Sequence, residues 1–261
     1  MLETIPGVLS RIVGHKRAEL RERIHRRDEL ERQAADCASA RRNFAAALLS
    51  RKPAVIAEMK KASPSKGLLA ADFQPGRIAS FYEQGGAAAL SVLTDEKFFQ
   101  GSLGDLETAR SAVSLPVLRK DFTLDEFHVV EAAAHGADAV LLIAAILSAA
   151  ELLCLRELAR SYSMAAVVEV HEEGELAAAI DSGAEIIGVN NRNLQTFEVT
   201  LETSLRLAGR IPASVVRVSE SGIHSARDVR RLRDAGYQAF LVGEHLMTAP
   251  DPAAALRSLL S

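Results

Sequence analysis

Cysteine is nearly missing from this sequence: Cys37 and Cys154 are the only two, far apart and in no metal-ligand spacing. A disulfide framework and a paired-cysteine metal site are therefore not what organises the chain, and a reduced, cytoplasmic protein is the expectation. No basic-then-apolar leader opens the sequence. The most apolar run, Ala137 to Ala150, carries Asp138 and is too short to span a bilayer, so no membrane association is expected. An excess of positive charge is missing too. Lys and Arg total 31 against 34 Asp and Glu, a net charge of −3, which gives nucleic acid no electrostatic footprint. There is no phosphate-binding P-loop, no nucleophile elbow and no Gly-rich dinucleotide turn. His128, His135, His171 and His224 fall near helices or loops at no metal spacing. Neither a metal nor an organic cofactor is expected.

What is present is an ordinary globular composition, 48% apolar and 25% charged, at a length that suits one α/β barrel. Residues 1–50 are helix-like and mixed in charge. They hold too few large apolar residues for a core of their own, so they read as an extension that packs on the main domain. From Pro53 the chain alternates short apolar strands with helical stretches, the strands beginning near Ala54, Ala88, Leu115, Asp138, Ala165, Glu185, Val215 and Ala239. Such alternation implies parallel pairing through right-handed crossovers. A repeat sharpens this. Gly86, Gly136, Gly183 and Gly236 each end a helix just before an apolar strand, at intervals of 50, 47 and 53 residues. An open, doubly wound sheet would show no such regularity, so the expected fold is α/β, a (β/α)8 TIM barrel spanning 51–261 with an N-terminal helical extension over 1–50.

In such a barrel, chemistry sits where strands end. In Pro53 to Gly67 the apolar run gives way to Glu58 and Lys60, both on the side of Ile56 because strand side chains alternate. One such pair would pass as a strand-end ion pair. Other strands end alike: Lys120 shares a side with Leu118, Glu169 with Val167, Asn190 with Gly188, and Glu220 with Val218. Arg119 and Asp121 point the other way. Arg192 follows two residues after Asn190. Acids and bases converging from five strands suit proton transfer. Ser221-Gly222 and Gly243-Glu244 follow the last two strands, where barrels of this kind often bind phosphate through backbone N–H groups. The side chain of Glu244 has to turn away from such an anion. Phe98, Phe99 and Leu141 are candidates for an apolar floor. These residues leave three readings open: an acid–base catalyst, a barrel using Lys60 or Lys120 as a Schiff-base amine, and a barrel that only binds a phosphorylated metabolite.

The motifs AEMKKASPSKG (57–67), SVLTDEKFFQGS (91–102), LRKDF (118–122), VVEVH (167–171), GVNNRNL (188–194), SESGI (219–223) and LVGEHLM (241–247) occur in an order that resembles the indole-3-glycerol-phosphate synthase family over essentially the whole chain. The resemblance implies a barrel with its extension over the mouth. It also implies an enzyme that closes the pyrrole ring of a phosphorylated anthranilate derivative, releasing CO₂ and water. It implies roles as well. Lys120 is the acid at the substrate carbonyl, Glu169 the acid or base of dehydration, and Lys60 the partner of the anthranilate carboxylate, also available for proton transfer. Glu58, Asn190 and Glu220 position substrate and lysines, and Arg192 lies near the carboxylate. Ser63, Ser221, Gly222, Gly243 and Glu244 match phosphate-binding positions, and Phe99 lies in a segment lining the aromatic pocket. Glu244 departs from members that carry Ser there. The implied partner is a small phosphorylated molecule, and the implied state a monomer or weak homo-oligomer.

Overall fold

The computed structural model describes residues 7–64 and 66–261. The first six residues of the expected extension, and Ser65 in the loop after the first strand, lie outside the described residues.

Eight parallel strands close into a barrel. They are β1 (Ala54–Met59), β2 (Ala89–Leu93), β3 (Val117–Lys120), β4 (Ala139–Ile143), β5 (Ala165–Val170), β6 (Ile186–Asn190), β7 (Val216–Glu220) and β8 (Ala239–Val242). Strand β1 completes the ring by pairing with β2 on one edge and β8 on the other, Ile56 facing Ala89 and Ala54 facing Ala239. The expected barrel is thus the observed one, and the strand starts lie within two residues of the sequence reading. The alternation that marks each strand splits the core in two. Ile56, Leu118, Leu141, Val167, Ile186, Val218 and Leu241 fill the interior, while Val55, Val117, Val140, Val168, Ile187 and Phe240 meet the outer helices. All four repeat glycines take positive φ, between 75° and 102°, the left-handed geometry that stops a helix and turns the chain into the next strand.

The extension contributes α1 (Gly7–Arg23), α2 (Arg27–Cys37) and α3 (Phe44–Ser50). They do different jobs. Phe44 and Leu48 of α3 join the interior cluster beside Ala54 and Ala88, plugging the end of the barrel where strands begin. Leu30 of α2 packs on Phe127 and Val130 of α4 (Glu126–Ala134). Helix α1 lies at the opposite end, against the strand termini. A two-residue hairpin, Ala62–Ser63 with Gly67–Leu68, was not foreseen from sequence and stiffens the loop after β1.

Where extension and barrel meet, Asp138 is fully buried. Its Oδ1 accepts from the Arg42 backbone N–H at 2.8 Å and from Arg110 at 3.2 Å, and its Oδ2 accepts from the Val117 N–H at 2.9 Å. Removing one partner of a buried charge network leaves the others unpaired in low dielectric. Asp138→Ala is expected to cost about 3 kcal/mol of stability, read as a lower urea midpoint with an unchanged m-value.

Candidate active site

The strand termini open onto a cavity of about 440 Å³. Glu58, Lys60, Lys120, Glu169, Asn190 and Glu220 all line it, as do Ser63, Phe99, Arg192, Ser221, Gly222, Gly243 and Glu244. Residues scattered over the chain therefore share one hollow. Alternation explains how: Glu58, Lys120, Glu169, Asn190 and Glu220 each hold the last inward position of their strand, and Lys60 follows two residues after Glu58.

At the centre, the Lys120 ammonium donates to Glu169 Oε2 at 2.8 Å and to Glu220 Oε2 at 2.6 Å. Glu169 and Glu220 come from β5 and β7, with β6 between them. Gly188 of β6 has no side chain to fill that space, and a Cβ there would run into the Glu220 carboxylate. Burial alone would depress the Lys120 ammonium, but Glu169 and Glu220 outweigh it and hold it above its ordinary value. Burial likewise favours the neutral form of both acids. For Glu169, Lys120 and His171 overcome this and keep the carboxyl well below the usual carboxylate range. For Glu220 burial wins, helped by the charge of Glu169, and the carboxyl is pushed up. Two like acids on one lysine thus diverge, one pushed toward its anion and the other toward its neutral form. Beside them Lys60 donates to Glu58 Oε1 at 2.9 Å.

The far side of the cavity is a polar rim. Asn190 Oδ1 accepts from the Ser221 hydroxyl at 2.9 Å and from the Arg192 backbone N–H at 3.1 Å. Ser221 itself adopts φ 67°, a strained conformation for a residue with a side chain. The Ser63 hydroxyl accepts from the Lys66 N–H at 3.2 Å. The Glu244 carboxylate reaches across the mouth to Lys66 at 3.3 Å and Arg192 at 3.7 Å, contacts the sequence did not foretell.

The apolar wall was only partly foreseen. Phe99 and Leu141 line the cavity, and Phe99 lies 6.2 Å from Phe122, ring to ring. Phe98 does not line it; its ring meets His15 of α1 at 5.8 Å. Val8, Leu9 and Ile12 of α1 roof the cavity. Residues missed at sequence level include these three, His171, and Lys16 of α1. Lys16 is 5% exposed and contacts Asp121 at 3.0 Å and Asp95 at 3.2 Å. Asp95 in turn caps the short helix α5 (Glu96–Phe99), accepting from the Phe98 N–H at 2.6 Å. Lys16 therefore ties α1 to the residue after Lys120 and to the helix that carries Phe99.

Outward from Asp121, Arg119 bonds Glu131 at 2.7 Å and the His128 carbonyl at 3.0 Å. His128 Nδ1 accepts from the Leu124 N–H at 3.3 Å, which needs a neutral ring. Burial, and then the Arg119 charge, push His128 down from 6.5 to about 4. Above pH 6.5 neither folded nor unfolded imidazole is charged, and His128 adds no pH dependence. Between pH 6.5 and 4 the unfolded chain binds a proton that the folded one refuses. Folding should lose about 3 kcal/mol across that window. His128→Gln is expected to flatten this part of the stability profile in urea unfolding from pH 4 to 7, while leaving the carboxylate losses below pH 4.

Among the described residues, no cluster of three or more His, Cys, Asp or Glu could hold a metal ion, and no helix is long and apolar enough to cross a membrane.

Residues 9–259 match the family model described as "Indole-3-glycerol phosphate synthase". Similar proteins include the indole-3-glycerol phosphate synthases of Polaromonas naphthalenivorans, 51% identical over 97% of this chain and 98% of that one, and of Koribacter versatilis, 51% identical over 97% and 99%. Among solved structures, a thiamine phosphate pyrophosphorylase from Pyrococcus furiosus covers 81% of this chain and 95% of its own, at a TM-score of 0.61 and 18% identity. An N-acetylmannosamine-6-phosphate 2-epimerase from Clostridium perfringens covers 76% and 89%, at 0.61 and 17%. These two share the fold alone.

Proposed function

The chain belongs to the indole-3-glycerol phosphate synthase family, and from that premise we propose how its own side chains divide the reaction. The activity is that of a carboxy-lyase in tryptophan biosynthesis. It takes 1-(2-carboxyphenylamino)-1-deoxyribulose 5-phosphate to indole-3-glycerol phosphate through ring closure, decarboxylation and dehydration.

In our reading the aromatic ring lies against Phe99, Leu141 and the roof of α1, with its carboxylate toward Lys60 and Arg192. The phosphate lies at Ser63, Ser221, Gly222, Gly243 and Glu244, the last contributing its backbone N–H. Ring closure makes a C–C bond to the ketone carbon and leaves charge on the ketone oxygen. Lys120 gives that oxygen a proton. A lysine held above its ordinary value is still the stronger acid here, because an alkoxide is far more basic than an amine. The carboxylate then departs as CO₂ and the ring regains aromaticity. In the dehydration, Lys60 protonates the departing hydroxyl and the ionised Glu169 takes a proton from the adjacent methylene carbon. Glu169 can then return that proton to Lys120, its hydrogen-bond partner. Glu58, Asn190 and Glu220 position the two lysines and the substrate.

The observation that carries this reading is the ammonium of Lys120 locked between Glu169 and Glu220 in a cavity with an apolar wall. The same observation argues against imine chemistry, which needs a neutral amine. We further propose that residues 1–50 and 51–261 form a single domain, supported by their shared interior cluster. We propose as well a cytoplasmic enzyme, a monomer or weak homo-oligomer, working without cofactor or metal. The net charge of −3 supports the absence of a nucleic-acid partner.

The test is turnover of the carboxyphenylamino-deoxyribulose phosphate, followed by indole fluorescence. Lys120→Ala is expected to lower kcat/KM by at least about 10³-fold in protein that still folds, read by far-UV circular dichroism, with a lower urea midpoint because Glu169 and Glu220 lose their shared cation. Near-normal activity in that variant would remove Lys120 from the role of acid.

A further inference from the structure

His171 has no part in the roles above and does not line the cavity, yet it lies directly against the group assigned as base. Glu169 and His171 sit two residues apart at the end of β5, on the same side of the chain. The two oxygens of Glu169 face different cations. Oε2 accepts from Lys120 at 2.8 Å, and Oε1 faces His171 Nε2 at 3.5 Å. On the other side of the ring, Nδ1 lies 3.1 Å from Glu175 Oε2, which also accepts the His171 backbone N–H at 2.6 Å. Glu175 belongs to the first turn of the helix Glu173–Asp181. An acceptor at Nδ1 fixes that nitrogen as N–H, so a second proton on the ring stands at Nε2. Nε2 is closed off from solvent and has no hydrogen-bond partner among the described residues, so its contact with Glu169 Oε1 is one of charge at 3.5 Å.

The reaction makes a demand that the resting ion pairs do not meet. Lys120 gives up its proton at ring closure, before Glu169 is needed. From then until the proton returns, Lys120 is a neutral amine between two buried carboxyl groups. Glu169 then has lost its only hydrogen-bonded cation, with the acid Glu220 on the other side of the same amine. A bare buried carboxylate takes up a proton instead of staying ionised. A base that protonates early is no longer a base.

We propose that His171, held by Glu175, is a positioning residue for Glu169. It supplies the positive charge that keeps Glu169 ionised while Lys120 is spent, and it aims Oε1 away so that Oε2 faces Lys120 and substrate. The groups facing His171 are Glu169 on β5, Glu175 on the helix that follows it, Glu220 on β7 and, beyond Glu169, Lys120 on β3. Three of the four are acids. Burial works against a charged ring, but Glu175, Glu169 and Glu220 more than offset it and hold the imidazole above its ordinary value. The inference rests on the assignment of Glu169 as base, made above.

The experiment is the pH profile of kcat for the intact enzyme and for His171→Gln, which keeps a polar side chain but cannot carry charge. The acidic limb of kcat, which reports Glu169 losing its proton, should move up by about one pH unit in the variant. On the acidic side of both limbs kcat should fall about tenfold while KM stays within about twofold. Glu175→Gln should move the limb in the same direction by less. A limb that stays in place, or a loss shared equally between kcat and KM, would leave His171 a structural residue only and overturn the proposal. Should His171→Gln fold poorly, ¹⁵N-histidine NMR of the unaltered protein decides the matter. A His171 ring still doubly protonated at pH 7 supports the proposal, and a neutral one overturns it. Glu169→Gln keeps the two claims apart. If that variant turns over normally the assignment of the base has failed, whereas a dead Glu169→Gln beside a normal His171→Gln defeats this inference alone.

Discussion

A single ammonium group holds the mouth of this barrel together. Glu169 and Glu220 reach Lys120 from two strands that do not touch each other, and both carboxyl groups are almost wholly out of water. Like charges so placed repel, and each would cost several kcal/mol to bury alone. Lys120 removes most of that cost by standing between them. It also ties β3, β5 and β7 together at their ends, so the cavity's buried acids are placed by the same contacts that make their burial tolerable. The shared lysine then separates two chemically identical side chains. Glu169, with a second cation at His171, is driven toward its anion. Glu220, with an unpaired oxygen and Gly188 opposite, is driven toward its acid. Acid and base functions arise from environment and not from residue type.

The strand that carries Lys120 works on both faces. Inward, Lys120 meets the cavity. Outward, its neighbours Arg119 and Asp121 enter a second ion-pair network with Glu131, Thr94 and Lys16. Lys16 belongs to α1, which also roofs the cavity with Leu9 and Ile12. The N-terminal helix is therefore linked to Lys120 through one residue of backbone, and to Phe99 through Asp95. A strand read with period 2 can connect the two networks because adjacent residues must point to opposite layers.

That same periodicity explains which parts were legible in the sequence. The barrel and its strand starts followed from apolar alternation and four spaced glycines. The inward direction of Glu58, Lys120, Glu169, Asn190 and Glu220, and the outward direction of Arg119 and Asp121, needed only counting by two. What counting by two cannot reach is contact between elements. Nothing local in α1 says that Lys16 will meet Asp121. Nor does the sequence around Glu244 foretell that Lys66 and Arg192 lie within reach of its carboxylate. Phe98 and Phe99 are adjacent on a four-residue helix, and only the packing of α1 decides which faces the cavity. His171 is different. It shares the parity of Glu169, so the signal was there, and it was passed over because histidines were weighed only as metal ligands.

The two ends of the barrel divide the labour. Where strands begin, Phe44 and Leu48 close the interior with apolar surface, and Asp138 is satisfied by three fixed donors that no step of the reaction disturbs. Where strands end, Glu58, Glu169 and Glu220 have lysine or histidine side chains as charged partners, which can lose a proton, change partner or admit a ligand. The first arrangement favours one rigid state and the second keeps charge available for use, and the barrel length between them lets both exist in one fold. Concentrating acids at one end would by itself drive that end apart. It stays closed because its counter-charges come from several directions at once: from β3 through Lys120, from β1 through Lys60, from the turn after β5 through His171, and from the extension through Lys16. The proton that Lys120 gives up in the proposed reaction then leaves three other cations at that end in place.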